Sequence, residues 1–292
     1  MGFDFFVFVG LVLGIVLVTR NLMISNIRKI AVYLRWDNKM VGQLLGYATS
    51  TPEFLNAFVA ASIGMIDASI YNIISSNIFN VVFVSIATLM YGKGKAILNK
   101  RFIEDYIMII LSVLLPAIFI EFGVADKLYV IPILAIFYII FFIMTKKRDY
   151  YKEEEEELEE EKNKILKIEK KEKVKIRKLS KVRKQRLSVF WILLFLSFII
   201  LYVLGNLLSA TLEILGNTFN VNQIILGIVI GLSTSLPEFL SFMSSYKRHK
   251  RCKILNKDKG AMEVVSNLVT SNISNLCIIQ TFAIIVYYLC RL

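Results

Sequence analysis

Long apolar blocks run through this 292-residue chain and leave it few possible folds. A helix that crosses the roughly 30 Å hydrocarbon core of a bilayer needs about 20 mostly apolar residues. Blocks of this kind lie at residues 3–19, 40–63, 69–91, 105–121, 128–144, 189–212, 221–245 and 264–290. The first block lacks the basic start and the cleavage site of a signal peptide, so it is interpreted as a span. The sequence predicts an all-α polytopic membrane protein with about 8 transmembrane helices.

The net charge of +12 follows a membrane pattern. If the spans alternate and the N-terminus lies outside, then every Lys and Arg except Lys127 and Arg291 lies in an inner loop. Such a bias sets the orientation of membrane proteins. It explains the charge without nucleic acid. Because no targeting segment is evident, an integral protein of the plasma membrane is expected. In that orientation the central loop is cytoplasmic.

Two sequence blocks each occur twice. Residues 42–55 (GQLLGYATSTPEFL) match residues 227–240 (GIVIGLSTSLPEFL) at eight of fourteen positions. Residues 72–80 (NIISSNIFN) match residues 267–275 (NLVTSNISN) at five of nine positions. Two matches in the same order indicate an internal repeat.

A charged segment, residues 145–188, separates the two copies and is interpreted as a cytoplasmic loop that is helical in part. The first repeat (1–144) contains five spans and the second repeat (189–292) contains three, so the second appears shortened. Because five is odd, the second copy enters the membrane upside down relative to the first. Inverted repeats are typical of secondary transporters, whose substrate site lies near the midplane where the repeats meet.

Glu53 and Glu238 lie deep inside apolar spans, where an ionisable side chain is costly and marks a candidate functional site. No basic residue is near either in sequence, so a cation is the natural partner. Hydroxyl residues precede each carboxylate on the same helix face: Thr49, Ser50, Thr234 and Ser235. Pro52 and Pro237 each free a backbone carbonyl four residues earlier, those of Ala48 and Ser233. All these groups are hard oxygen donors, which Ca²⁺ and Na⁺ prefer.

The second block adds Ser76 and Asn80, four residues apart, and likewise Ser271 and Asn275. These side chains either join the cation site or only hold helices together by hydrogen bonds, as Ser and Asn often do in membranes. The same alternative applies to Asn72 and Asn267. Asp67 and Glu263 are expected at the mouths of their spans, in a surface or helix N-terminal role.

Other chemistry has little support in the sequence. The cysteines, Cys252, Cys277 and Cys290, show no disulfide or metal-site spacing, and no cofactor is expected. The sequence contains no catalytic Ser/His, paired Asp or HExxH arrangement, so an enzyme is not expected.

The paired blocks resemble the repeats of the sodium/calcium exchanger (cation/calcium antiporter) superfamily. That family carries a G-T-S-x-P-E type motif and a G-N-x-x-G-S-N-I-x-N/D motif in each half. Here they read ATSTPE (48–53), YNIISSNIFN (71–80), LSTSLPE (232–238) and SNLVTSNISN (266–275). The resemblance implies two inverted halves of five helices each, and alternating access by one helix bundle sliding past the other. It also implies a metal-ion site with backbone carbonyls near Gly46 and Gly231 and side-chain ligands Thr49, Ser50, Glu53, Ser76, Asn80, Thr234, Ser235, Glu238, Ser271 and Asn275.

The sequence departs from that pattern in three ways. Larger residues replace glycines of the second motif, at Tyr71, Ser75, Ser266 and Thr270. Asn275 stands where sodium-coupled members often carry Asp. The second half carries two spans fewer than the family, which indicates a shortened member, a fragment, or a chain whose last helix pair comes from self-association or a partner.

The leading function is therefore exchange of Ca²⁺ for Na⁺, with inorganic cations and the bilayer as partners. The alternatives are an antiporter that couples Ca²⁺ or another divalent cation to H⁺, and a transport-inactive scaffold or regulator.

Overall fold

A computed structural model describes residues 2–34, 36–147, 176–219, 222–251 and 259–291, and this described part contains helices and no strand. The helices of the first half are α1 (Gly2–Val18), α2 (Ser25–Leu34), α3 (Asn38–Thr49), α4 (Thr51–Ser62), α5 (Ile66–Tyr91), α6 (Gly94–Ile97), α7 (Ile103–Glu121) and α8 (Val130–Lys147). Those of the second half are α9 (Ile176–Phe219), α10 (Gln223–Thr234), α11 (Leu236–Arg251), α12 (Lys259–Ile273) and α13 (Gln280–Leu289). Short π-helical stretches, Thr19–Ile24 and Ser274–Ile279, join α1 to α2 and α12 to α13.

All eight predicted blocks form helices. By length and composition, six helical stretches of the described residues are able to cross a membrane: Phe6–Leu34, Ile66–Tyr91, Lys100–Glu121, Leu187–Leu208, Gln223–Arg248 and Lys259–Leu289. The block at 128–144 forms the shorter apolar helix Val130–Lys146. The block at 40–63 is divided at Ser50 into α3 and α4. The all-α membrane fold is therefore confirmed.

The first span is much longer than predicted. The expected inner loop after residue 19 is wrong, because the helical stretch continues for 29 residues from Phe6 to Leu34. Met23, Ile27, Ile30 and Ala31 explain the continuation, since they share one helix face and are all buried. Basic residues of this region, including Arg28, therefore lie on a helix.

The central charged segment ends in a helix. Residues 148–175, which contain its acidic run, lie outside the described residues. From Ile176 the chain forms α9, whose 44 residues correspond to a length of about 66 Å. Such a helix is longer than a bilayer is thick, so α9 extends beyond the membrane core.

The two repeats pack into each other rather than side by side. Helix α3 lies against α12, and α10 lies against α5, so each pair contains one helix from each half. A Cβ atom added to Gly42 would lie 2.5 Å from the carbonyl oxygen of Glu263, and one added to Gly227 would lie 2.6 Å from that of Ala68. These are equivalent positions in the two halves, so the two pairs pack in the same way.

The residues that replace family glycines lie directly at these contacts. Ser266 and Thr270 face Gly42 and Gly46, while Tyr71 and Ser75 face Gly227 and Gly231. Since glycine is present on α3 and α10, the backbones still approach closely. The departures from the family motif are therefore compatible with tight packing.

Among the described residues, two separate hydrophobic clusters hold the helices together. The larger contains buried residues of α5, α7, α8, α12 and α13. The smaller joins α1, α2 and α9 to one face of α3 and α10. We call α1, α2 and α9 the peripheral helices, and they pack mainly on each other. Helices with equivalent positions in the two repeats thus form a peripheral layer beside a central one.

Candidate cation site

Each glutamate motif lies where an apolar helix is interrupted. Helix α3 ends at Thr49 and α4 begins at Thr51, with Ser50 between them. The second copy has the same break at Ser235, between α10 and α11. Pro52 lies in the first turn of α4, where a missing backbone N–H costs nothing. Glu53 and Glu238 consequently lie in the first turn of a helix, where the helix dipole favours negative charge.

The two motifs are hydrogen bonded to each other in a crossed arrangement. Both carboxylates are fully buried. The hydroxyl of Ser235 donates to Oε1 of Glu53 at 3.5 Å, and the hydroxyl of Ser50 donates to Oε1 of Glu238 at 3.4 Å. Each carboxylate is therefore contacted by the serine of the opposite repeat. Both bonds are longer than the usual O–H···O distance of about 2.5–3.0 Å.

The second motif completes the cluster. Ser271 Oγ lies 2.8 Å from Ser50 Oγ and donates to Glu238 Oε1 at 3.3 Å. Asn80 Nδ2 donates to Ser271 Oγ at 3.2 Å. On the other side, Ser235 Oγ donates to the carbonyl oxygen of Ser76 at 3.5 Å. Polar groups of four helices from both repeats thus meet in one buried region.

The two threonines and Asn275 complete the ten predicted residues. Thr49 lies beside Glu238 and donates its hydroxyl to Leu45 O at 2.8 Å. Thr234 lies beside Glu53 and donates to Ile230 O at 3.0 Å. Asn275 is fully buried and donates to Asn77 Oδ1 at 3.1 Å. All ten residues are buried; nine of them contact the shared cluster or lie beside it, and Asn275 contacts Asn77.

Several buried oxygen atoms in this region accept no hydrogen bond. Within the described part of the chain, neither glutamate is paired with a basic residue. The buried side-chain oxygens without a partner include three pairs at equivalent positions of the two repeats: Glu53 Oε2 and Glu238 Oε2, Asn72 Oδ1 and Asn267 Oδ1, and Asn80 Oδ1 and Asn275 Oδ1. An unsatisfied buried polar atom costs about 1–3 kcal/mol, so such a set requires an explanation. Carboxylate and amide oxygens without donors are suited to a hard cation.

Soft-metal chemistry has no comparable arrangement. Among the described residues, no group of three or more His, Cys, Asp or Glu side chains is placed to hold a metal ion. Cys277 and Cys290 are free thiols, and Cys252 lies outside the described residues. The oxygen-rich cluster is therefore the candidate site.

The backbone carbonyls around the two helix breaks accept hydrogen bonds from hydroxyl side chains. The carbonyl of Ala48, which Pro52 was expected to free, accepts a hydrogen bond from Thr51 Oγ1 at 2.8 Å. The carbonyl of Gly46 accepts from Ser50 Oγ at 2.9 Å, and that of Gly231 accepts from Ser76 Oγ at 3.3 Å. The single hydroxyl proton of Ser50 is therefore shared between Gly46 O and Glu238 Oε1, while the hydroxyl of Ser76 is directed at Gly231 O.

Sequence reasoning overlooked the role of two asparagines. Asn77 and Asn272 donate to each other's backbone carbonyl, both at 3.2 Å, and so join α5 to α12 at their crossing. Asn77 also donates to Ser112 O at 3.1 Å. That carbonyl lacks its usual helical donor because Pro116 has no N–H. Both copies carry Asn at this position, and this match was the signal from which their importance could have been inferred.

Replacing Asn77 with Ala should lower the stability of the chain by about 1–3 kcal/mol, because buried carbonyls lose their donor. Thermal unfolding of the purified chain in detergent measures this loss. The loss should be smaller by about 1 kcal/mol in a Pro116→Ala background, where a backbone N–H again reaches Ser112. An equal loss in both backgrounds would show that the bond to Ser112 contributes nothing.

The interpretation of Glu263 as a surface or helix N-terminal residue is wrong. Glu263 is fully buried, and its Oε1 lies 2.6 Å from Nη2 of Arg28. Ser245 Oγ donates to the same oxygen at 2.7 Å. Arg28 is 235 residues away in sequence, so no local pattern indicated this pair. Asp67, by contrast, is exposed in the first turn of α5.

Comparison with known proteins agrees with this geometry. The family model described as sodium/calcium exchanger protein matches residues 4–146 and 189–290, which contain both repeats. No curated protein and no solved structure gives a significant match. The matched residues form most of the chain. They include all four motifs, and the helices that carry these motifs pack across the two repeats. The chain therefore belongs to the sodium/calcium exchanger family of membrane cation transporters.

Proposed function

We propose that the chain is a secondary active antiporter that exchanges Ca²⁺ for Na⁺ by alternating access. The crossed cluster of Glu53 and Glu238 carries this proposal, since both are buried, neither is paired with a basic residue of the described chain, and each retains an oxygen without a donor. The proposed ligands are Thr49, Ser50, Glu53, Ser76, Asn80, Thr234, Ser235, Glu238, Ser271 and Asn275.

The charge of the cluster suits the proposed substrates. The two carboxylates interact electrostatically. A divalent cation between them, or monovalent cations in its place, would neutralise their charge. Hydroxyl and amide oxygens supply the remaining hard donors that Ca²⁺ prefers, and its coordination number of six to eight is compatible with so many candidate ligands.

The repeat architecture supports alternating access. Because the halves are inverted, the equivalent surfaces of the two repeats lead from the cluster towards opposite sides of the membrane. The larger hydrophobic cluster contains no residue of the peripheral helices, so their movement as a unit would change their contacts with α3, α4 and α10 and leave the larger cluster intact. We further propose a plasma-membrane location with the N-terminus outside and residues 145–188 as a cytoplasmic loop, in agreement with the positive-inside rule. Residues 1–144 and 189–292 would then be the two repeat domains.

Proton coupling is the second candidate because of Asn275. Its amide donates to Asn77 Oδ1 at 3.1 Å, and an amide contributes no charge to the cluster. The site therefore contains two carboxylates. A third carboxylate, in place of the Asn275 amide, would favour binding of additional Na⁺. An antiporter that exchanges Ca²⁺ or another divalent cation for H⁺ would need only the two glutamates.

Uptake of ⁴⁵Ca²⁺ into proteoliposomes tests both candidates. Under the leading proposal, an outward Na⁺ gradient drives uptake and a pH gradient of equal size does not, because Na⁺ competes for the same oxygens. Uptake that follows only the pH gradient would establish the second candidate. Uptake no greater than that of protein-free liposomes under either gradient would overturn antiport and favour a scaffold or regulator.

A further inference from the structure

A ladder of polar contacts leads away from the candidate site between α11 and α12. At its inner end, Ser271 donates to Glu238 at 3.3 Å. One helical turn further, Asn267 Nδ2 donates to Ser241 Oγ at 2.7 Å. At the end farthest from the candidate site, which we call the outer end of the ladder, Ser245 donates to Glu263 at 2.7 Å. We call these three contacts the polar ladder.

The spacing of these residues makes the ladder continuous. Glu263, Asn267 and Ser271 follow one another at intervals of four and share a face of α12. The residues that face them from α11, Glu238, Ser241 and Ser245, share one face in the same way. From Glu263 to Ser271 the helix rises by about 12 Å. All six side chains are fully buried.

Arg28 lies over the outer end of the ladder. It comes from α2, one of the peripheral helices, and its Nη2 contacts Glu263 Oε1 at 2.6 Å and Ser245 Oγ at 2.9 Å. Only 13% of its side chain is exposed. Nε and Nη1 of this guanidinium have no hydrogen-bond partner, and Arg248 repels it. Because burial of a charge is costly, this ion pair stabilises the closed position of Arg28 less than its short distance suggests.

The other repeat has no such end. The positions equivalent to Glu263 and Ser245 are Ala68 and Ala60, and the position equivalent to Arg28 is Glu213. The equivalent of Ser241 is Asn56, which donates to Pro52 O at 2.9 Å. The ion pair of Arg28 and Glu263 therefore occurs in the second repeat only, while the helix packing around it is common to both repeats.

A buried oxygen within the ladder supports a role for cations there. Asn267 Oδ1 is fully buried and accepts no hydrogen bond, although the amide nitrogen of the same side chain is bonded. It lies one turn from the Glu263 carboxylate on α12. Carboxylate, hydroxyl and amide oxygens together form the donor set of a hard cation site.

We propose that the ladder is the cation access path of the second repeat and that Arg28 is its gate. Glu263, Ser245 and Asn267 form an outer cation site, which the Arg28 guanidinium fills as a tethered cation while this path is closed. When the peripheral helices move, Arg28 leaves with α2 and an inorganic cation replaces it. This inference rests on the proposed transport function, because a path is useful only to a transported ion.

Cysteine accessibility tests the gate in the full chain in proteoliposomes. Ser241→Cys, in a chain whose native cysteines are replaced by Ser, reports on the middle of the ladder through its rate of reaction with a small cationic methanethiosulfonate. Arg28→Gln should raise this rate at least about tenfold, within the range of coupling between two states of a protein. Arg28→Lys retains the charge. With this variant, Ser241→Cys should react at nearly the rate measured with Arg28.

The equivalent position of the first repeat supplies the control. Asn56→Cys lies at the equivalent place of Ser241, and Arg28→Gln should leave its reaction rate unchanged. An equal rise at both positions would mean general loosening and would overturn the gate, as would no rise at Ser241→Cys. If Arg28→Gln does not fold, Glu263→Gln replaces it, because it removes the ionic partner of Arg28 without leaving a buried carboxylate. It should also raise the Ser241→Cys rate.

Calcium protection separates the outer site from the transport proposal. In a Glu53→Gln background, which disables the central cluster, Ca²⁺ should still slow the reaction of Ser241→Cys when Arg28→Gln is present. Adding Glu263→Gln should remove this protection. Protection without measurable exchange in the otherwise unchanged chain would retain the outer site while the proposed function fails. Absence of protection in a chain that exchanges Ca²⁺ would overturn the outer site alone.

Discussion

Replacing Glu53 with Gln is expected to abolish Ca²⁺ exchange, and Glu238→Gln should have the same effect. Each change removes one of two buried charges and leaves the hydroxyl and amide oxygens in place. Loss of one partner from a buried charge pair costs about 3–5 kcal/mol, which corresponds to more than about 100-fold in cation affinity. The measurement is ⁴⁵Ca²⁺ uptake into proteoliposomes, together with equilibrium binding of ⁴⁵Ca²⁺ to the purified chain.

The control is Glu121→Gln, which makes the same substitution at an exposed glutamate of α7. It should bind and transport Ca²⁺ as the unchanged chain does. The crossed hydrogen bonds also predict that the two site variants have similar effects, since each glutamate contacts the serine of the opposite repeat. Full uptake by either variant would exclude that glutamate from the cation site.

The second large effect is expected at the glycines between the repeats. A Cβ atom at Gly46 would lie 2.7 Å from Asn267 O, and one at Gly231 would lie 2.8 Å from Asn72 O. These neighbours are backbone atoms, which have little freedom to move. Gly46→Ala and Gly231→Ala should therefore each destabilise the chain by about 2–3 kcal/mol. Thermal unfolding in detergent should show a decrease of about 5–10 °C.

Transport should decrease with stability in these variants, because the same contacts set the distance between Ser271 and Ser50. Gly10→Ala is the matched control, since a Cβ atom at that position in α1 meets nothing within 4 Å. Alanine is the better helix former, so this variant should be as stable as the unchanged chain or slightly more stable. If Gly46→Ala matched Gly10→Ala in unfolding temperature, the close approach of α3 and α12 would be incorrect.

Much of the architecture was readable from local patterns. Apolar blocks of about 20 residues predicted the membrane fold because the bilayer imposes its thickness on every crossing helix. The doubled TSxPE and SNIxN patterns predicted the repeat, and the odd number of spans before the second copy predicted its inversion. Glu53 and Glu238 stood out because an apolar block rarely contains an acid without a function.

The errors occurred where long-range packing changes the meaning of a local pattern. Basic residues after position 19 indicated a loop, yet Met23, Ile27 and Ile30 bury one face in a cluster with residues of α1, α3 and α9, so the helix continues. Glu263 resembled a helix-end residue, yet it is buried against Arg28. The hydrogen bond from the Thr51 hydroxyl to the carbonyl of Ala48 was likewise not evident from the sequence.

The sequence alone determined that this is a membrane protein of two inverted copies and which oxygen-bearing side chains each copy carries. These properties depend on hydropathy and spacing, which are local and additive along the chain. Only the tertiary structure decided that α3 packs on α12 and α10 on α5, that each glutamate contacts the serine of the opposite repeat, and that Arg28 covers one ladder. Contacts between residues some 200 positions apart depend on how helix surfaces fit together in space, and one sequence does not encode that fit in any local pattern.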